Sequence, residues 1–185
     1  ADPVCDSDPV TAGLQCTIRA AIQQSATPPG QDTINVPAGT YTLNSPNELM
    51  VTSPVVIDGA SAGSTIIRQQ INGRVLEVSF GASLDLRDVT VRDGAIADNG
   101  GGIYAGGPLV VRRSVVRSNQ AIGSAGGGIF ADPNAPLTIE GSVIGGSGAG
   151  AGNSAGRGSG GRATRRASPV VAVAAVTRAI SANAA

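Results

Sequence analysis

The chain of 185 residues contains no histidine, no lysine and no tryptophan. Without histidine it cannot assemble a Ser-His-Asp or Cys-His nucleophile system. With Cys5 and Cys16 as its only cysteines, it also lacks the ligands of a structural zinc site. The only rings are Tyr41, Phe80, Tyr104 and Phe130, so the core must be built from Val, Ile, Leu and Ala, and there is no aromatic row for sugar stacking. Charged side chains make up 14% of the chain, which with 27 glycines is unlike a helical bundle. No apolar run approaches the ~20 residues of a membrane-spanning helix, and residues 170–176 are far too short.

Charge is balanced but unevenly distributed. All 13 acidic side chains lie at or before Glu140, whereas five of the 13 arginines follow it. A basic tail can contact nucleic acid or a membrane. This tail is rich in Gly and Ala without interleaved aromatics, so it reads as a solvated end, and no nucleic-acid partner is expected. Cys5 and Cys16 read as a disulfide that pins the N-terminal segment, implying an oxidising, exported setting. The other reading of the pair is two buried free thiols. The chain opens at Ala1 with neither Met nor an apolar signal segment, which fits a processed or excised form.

What is present is a repeat of about 25 to 30 residues. Leu84-Asp-Leu-Arg-Asp-Val-Thr-Val-Arg92 recurs as Leu109-Val-Val-Arg-Arg-Ser-Val-Val-Arg117 and, more loosely, as Leu137-Thr-Ile-Glu-Gly-Ser-Val-Ile144. Between the blocks, Gly100-Gly-Gly-Ile-Tyr-Ala105 recurs as Gly126-Gly-Gly-Ile-Phe-Ala131. Such a period marks a solenoid, whose units bury their apolar faces only by stacking on neighbours. Alternation predicts three inward columns: Leu84, Leu109 and Leu137; Leu86, Val111 and Ile139; Val91, Val116 and Ile144. Asp85, Arg87, Thr90 and Arg92, then Val110, Arg112, Val115 and Arg117, face outward. The glycine triplets are expected at corners needing positive φ or close backbone approach. Tyr104 and Phe130 align as stacked packing residues.

Before the repeat, residues 16–24 hold the one good helical pattern, with Ile18, Ala21 and Ile22 on one face. At two to three turns it needs a surface to lie on, and the open first coil supplies one. Short strands follow around Ile34, Tyr41, Ile57, Ile67 and Leu76, separated by Gly, Ser and Asn. After Gly145 regularity fades. Ser154-Ala-Gly156 starts like Ser124-Ala-Gly126, and Ile180-Ser-Ala-Asn183 resembles Val116-Arg-Ser-Asn119. The ending is expected to be a truncated coil. The expected division is a cap segment with a helix over 1–30, β-helix coils over 31–155, and a degenerate coil or basic tail over 156–185.

Cys16-Thr-Ile-Arg-Ala-Ala-Ile22, with Asp32-Thr-Ile34 and Pro37-Ala-Gly-Thr-Tyr41, resembles the bacterial motif named for its CSLREA consensus. The consensus glutamate is Ala20 here. The Gly-Gly-Gly-Ile-Tyr and Ser-Asn-x-Ala phrases are similar to the repeats of exported bacterial surface proteins, including polymorphic outer-membrane proteins, which have the pectin-lyase-like fold. The resemblance covers residues 5 to 155. It implies an all-β, right-handed parallel β-helix with a short N-terminal α-helical cap, secreted or carried on a bacterial cell surface.

Enzymes of this fold act on polysaccharides through clustered carboxylates, often with Ca²⁺, and a cation that neutralises a uronate. The candidate set here is Asp85, Arg87, Asp88 and Asp93, near Arg92 and Asp98. The repeat offers a simpler reading. Arg87 aligns with Arg112 and Glu140, and Asp88 with Arg113, as in a charge ladder on a solvated sheet. Asn-Thr-Asp, Asp-Asp and Gly-His-Gly phrases of polygalacturonases are absent. The expected function is therefore a non-catalytic exported or cell-surface scaffold, adhesin-like, with no cofactor or metal and with a cell-surface or polysaccharide ligand. The alternative is a polysaccharide lyase-type enzyme or polysaccharide-binding module using the candidate set.

Overall fold

The computed structural model describes residues 17–26, 30–146 and 152–156. Cys5 and Cys16, and so the expected disulfide, lie outside the described residues, as do residues 180–185 and nearly all of the basic tail.

Short alternating segments bounded by Gly, Pro, Asn and Asp give strands of two to five residues. The first coil is β1 (Asp32–Val36), β2 (Gly39–Leu43) and β3 (Leu49–Val51). The second is β4 (Val55–Gly59), β5 (Thr65–Gln69) and β6 (Leu76–Val78). The third adds a side: β7 (Leu84–Arg87), β8 (Thr90–Arg92), β9 (Ala95–Ile96) and β10 (Ile103–Ala105). The fourth repeats it as β11 (Leu109–Arg112), β12 (Val115–Arg117), β13 (Gln120–Ala121) and β14 (Ile129–Ala131). A partial fifth holds β15 (Leu137–Glu140), β16 (Val143–Ile144) and β17 (Ser154–Ala155).

Each strand hydrogen-bonds in parallel to its counterpart one coil away. Sheet I runs β1-β4-β7-β11-β15 and sheet II runs β2-β5-β8-β12-β16. Sheet III runs β3-β6-β10-β14 and sheet IV runs β9-β13-β17. The result is a parallel β-solenoid of roughly four turns. The expected columns are in register: Leu84 pairs with Leu109 and Leu109 with Leu137, Leu86 with Val111 and Val111 with Ile139, Val91 with Val116 and Val116 with Ile144. Ile57, Ile67, Leu76, Leu86, Ile103 and Val111 are fully buried, each stabilising the fold by about 1.5–3 kcal/mol. Leu137, Ile139 and Ile144, in the fifth coil, are only half-buried.

The corners explain the glycines. Gly100 and Gly126 have φ of 70° and 67°. A Cβ on the neighbouring Gly101 would come within 2.3 Å of the Gln120 carbonyl oxygen. Between sheets II and IV, buried Asn119 accepts from the Gly94 N–H (2.9 Å) and donates to the Val91 carbonyl (3.2 Å). Asn153 does the same one coil later, accepting from the Asn119 N–H (3.0 Å) and donating to Val116 (2.8 Å). This ladder corrects the sequence alignment at the end of the repeat. Ser154 pairs with Gln120 and Ala155 with Ala121, so Asn153-Ser-Ala155 repeats Asn119-Gln-Ala121 and does not repeat Ser124-Ala-Gly126.

The helix α1 (Ile18–Gln24) precedes the coils. Thr17 caps it, its hydroxyl accepting from the Ala20 N–H at 3.1 Å. Ile18 and Ile22 are buried. Arg19 donates to the Glu48 and Asn47 carbonyls at 2.7 and 2.8 Å, tying the helix to the chain entering β3. Among the described residues no helix is long and apolar enough to cross a membrane.

Candidate functional site

Alternation on β7 places Asp85 and Arg87 on the outer face of sheet I. Asp85 Oδ2 accepts from Arg87 Nη2 at 2.6 Å, and its Oδ1 lies 3.4 Å from Arg112 Nε. Arg112 also pairs with Glu140 on the next coil. The row that puts Arg87 beside Arg112 is flanked by acid: Asp58 aligns with Arg87 at one end and Glu140 with Arg112 at the other. Hydrogen bonding to Asp85, then its charge, holds the Arg87 guanidinium above its ordinary pKa.

Asp88 stands at the bend between sheets I and II, with φ of 54°, and Arg113 occupies the same bend one coil later at 46°. Aspartate tolerates this left-handed conformation, whereas arginine adopts it rarely. Arg113 grips the Asp88 carboxylate at both oxygens, Nε at 3.0 and 3.1 Å and Nη2 at 2.5 Å. Asp93, with φ of 64°, lies at the opposite end of β8. There it sits 3.2 Å from Arg68 Nε and 3.6 Å from Arg92 Nε.

The candidate residues are therefore dispersed. Asp85 and Arg87 share a face, Asp88 belongs to the bend after it, and Asp93 to the corner beyond sheet II. Each carboxylate is engaged by an arginine of a neighbouring coil: Asp85 by Arg112, Asp88 by Arg113 and Asp93 by Arg68. The outward assignment also holds for Thr90, but this side chain is buried because the 60–63 loop folds over it, its hydroxyl donating to the Ala62 carbonyl at 2.6 Å.

A second cluster, on the outer side of sheet III, escaped the sequence reading. Arg74 is 5% exposed and fully engaged. Its Nε donates to the Gly100 carbonyl (3.1 Å), and its Nη2 to the Asn99 carbonyl (3.0 Å) and to Asp98 (3.3 Å). Its Nη1 pairs with Glu77. The guanidinium lies 5.0 Å from the centroid of the Tyr104 ring, which stacks on Phe130 at 5.8 Å and 13°. The Tyr104 hydroxyl donates to Asp132 at 2.9 Å. That hydrogen bond, then burial, raises the Tyr104 pKa. Burial raises Glu77 as well and outweighs the Arg74 charge, helped by Glu48. The stacking of Tyr104 on Phe130 is the one part foreshadowed by the repeat. Arg74 carried no signal, because it precedes a strand and has no counterpart in the blocks.

Among the described residues no three acidic, cysteine or histidine side chains gather to hold a metal ion. A hollow of about 330 Å³ is lined by Ile18 and Ala21 of α1 and by Ile34, Val36 and Tyr41 of the first coil, away from both clusters. Comparison of the chain with protein-family models, curated proteins and solved structures found no match.

Proposed function

We propose that this chain is a non-catalytic β-solenoid scaffold, exported and displayed at a bacterial surface in the manner of an adhesin stalk. The observation that carries this reading is the fate of the three candidate aspartates. Asp85, Asp88 and Asp93 are all paired with arginine in ladders between or along coils, which neutralises them and aligns the stack. A general base or a Ca²⁺ ligand needs a carboxylate aimed at substrate or metal.

The CSLREA-like residues support the same reading through their local roles. Ile18 and Ile22 seat the helix against the first coil. Tyr41 donates its hydroxyl to the Pro37 carbonyl at 2.9 Å, closing the turn between β1 and β2. The motif acts as a starting cap for a solenoid, the element such a fold needs to cover its first coil, and its likeness to exported surface proteins underlies the proposed location.

The test is turnover. Folded protein is incubated with pectate, alginate and glycosaminoglycans, with and without Ca²⁺, while reducing ends and unsaturated uronate are followed. The expected outcome is no product from any polymer. Turnover that disappears in Asp88→Ala or Arg87→Ala overturns the scaffold reading and makes the chain a catalytic β-helix, a polysaccharide lyase where the product is unsaturated uronate.

A further inference from the structure

The outer faces of sheets II and III carry charge of opposite sign. On sheet III the register sets Met50, Glu77, Tyr104 and Phe130 side by side on successive coils. Glu48, Asp98 and Asp132 stand around this row, and the arginine among these four carboxylates is Arg74. Arg74 is 5% exposed and spends its donors within the cluster, so the surface above it is acidic. The face is also apolar: Met50 is 48% exposed and Phe80, just past β6, 95%. A Cβ on Gly106 would lie 3.4 Å from the Phe80 nitrogen and 3.5 Å from the Tyr104 ring, which puts Phe80 at the edge of the row. Exposed apolar side chains grouped within a polar rim mark an interaction surface.

On sheet II the register aligns Arg68, Arg92 and Arg117 on successive coils, and the carboxylate beside them is Asp93. Ser118 holds the corresponding left-handed corner one coil later, with φ of 56°. Arg117 forms no ion pair among the described residues. The 60–63 loop covers Thr90, so the open part of this face lies beyond it. There Val115 pairs with Val143, which is 55% exposed.

We propose that sheet III of one copy docks side by side on the open part of sheet II of a second copy. The inference goes beyond the scaffold reading and stands or falls separately from it. Charge complementarity names the occupant: three arginines face one carboxylate on sheet II, and four carboxylates surround one buried arginine on sheet III. Each face sets apolar side chains beside its charge, Val115 and Val143 on one, Met50, Phe80 and the Tyr104–Phe130 stack on the other. Both belong to one stack of coils about 4.8 Å apart, so with the two axes aligned their rows stay in step along the contact. The two patches differ, so the contact is heterologous. Each docked copy leaves a sheet II free on one side and a sheet III free on the other, and association grows into rows instead of closing as a pair.

Sedimentation velocity of the full chain over a concentration series, at low and high salt, tests this, with folding of each variant checked by circular dichroism. The parent is expected to associate beyond a dimer and to dissociate in high salt. Arg117→Glu on sheet II is expected to weaken association about tenfold, and Phe80→Ser on sheet III by a similar factor. In an equimolar mixture the intact sheet II of the Phe80 variant meets the intact sheet III of the Arg117 variant, so pairing is expected to return to about the parent affinity. Arg112→Gln removes a charge from sheet I, outside the contact, and is expected to leave association unchanged. A parent that stays monomeric up to ~1 mM, a dimer that does not grow, equal loss in the Arg112 variant, or a mixture that stays dissociated overturns the proposal. A monomer that binds an arginine-rich peptide through Phe80 gives sheet III another occupant and overturns it as well.

Discussion

Glu77 and Asp85 are both outward carboxylates beside an arginine, and their surroundings give them different work. Asp85 sits between two guanidiniums on a sheet face. Glu77 shares Arg74 with Asp98 and is crowded by Glu48, and burial lifts its pKa above the ordinary 4.5. A carboxyl with a raised folded-state pKa binds its proton more tightly in the folded chain than in the unfolded one. Its contribution to stability is complete below about 4.5 and is lost as pH rises through the raised value. Glu77→Gln, which cannot ionise, should therefore gain stability relative to the parent as pH rises through that window. Denaturant midpoints at a series of pH values check this, and a constant difference between the two proteins would refute it. Neither surrounding is visible in the sequence, where Asp93 and Asp98 look like one group. A corner between them sends Asp93 to Arg68 and Asp98 to Arg74.

The corners show how far element-level reading reaches. The triplets at 100–102 and 126–128 were legible as places where backbones meet, because only glycine leaves room for them. Gly101→Ala is expected to lower stability by about 3 kcal/mol, since its new methyl would press on the Gln120 carbonyl. Gly30→Ala, at a site with nothing within 4 Å, is expected to stay within about 0.5 kcal/mol of the parent. Thermal unfolding of both variants checks the contrast. The asparagine ladder was not legible in the same way. Asn119 and Asn153 are 34 positions apart, well beyond the 25 that separate Arg113 from Asp88, so the longer spacing hid the match that backbone hydrogen bonding imposes.

At the scale of the molecule, a solenoid is a stack whose stability comes from each coil and its contacts with the next. Leu84 and Leu86 in the third coil are covered on both sides and are 1% and 0% exposed, whereas Leu137 and Ile139 in the fifth are half-buried. Amide hydrogen exchange should accordingly be slowest in β4, β7 and β11 and fastest in β15 and β16. Uniform protection across the five strands of sheet I would contradict this ordering. The sequence by itself determined the repeat, the inward columns and the glycine corners, because apolar alternation and steric exclusion act between near neighbours and leave a periodic mark. Only the tertiary structure decided which charges meet. Some arginines meet their acid on the same strand, as Arg87 meets Asp85, whereas others reach a whole coil away, as Arg113 reaches Asp88 and Arg112 reaches Glu140, and the register between coils sets which of them meet.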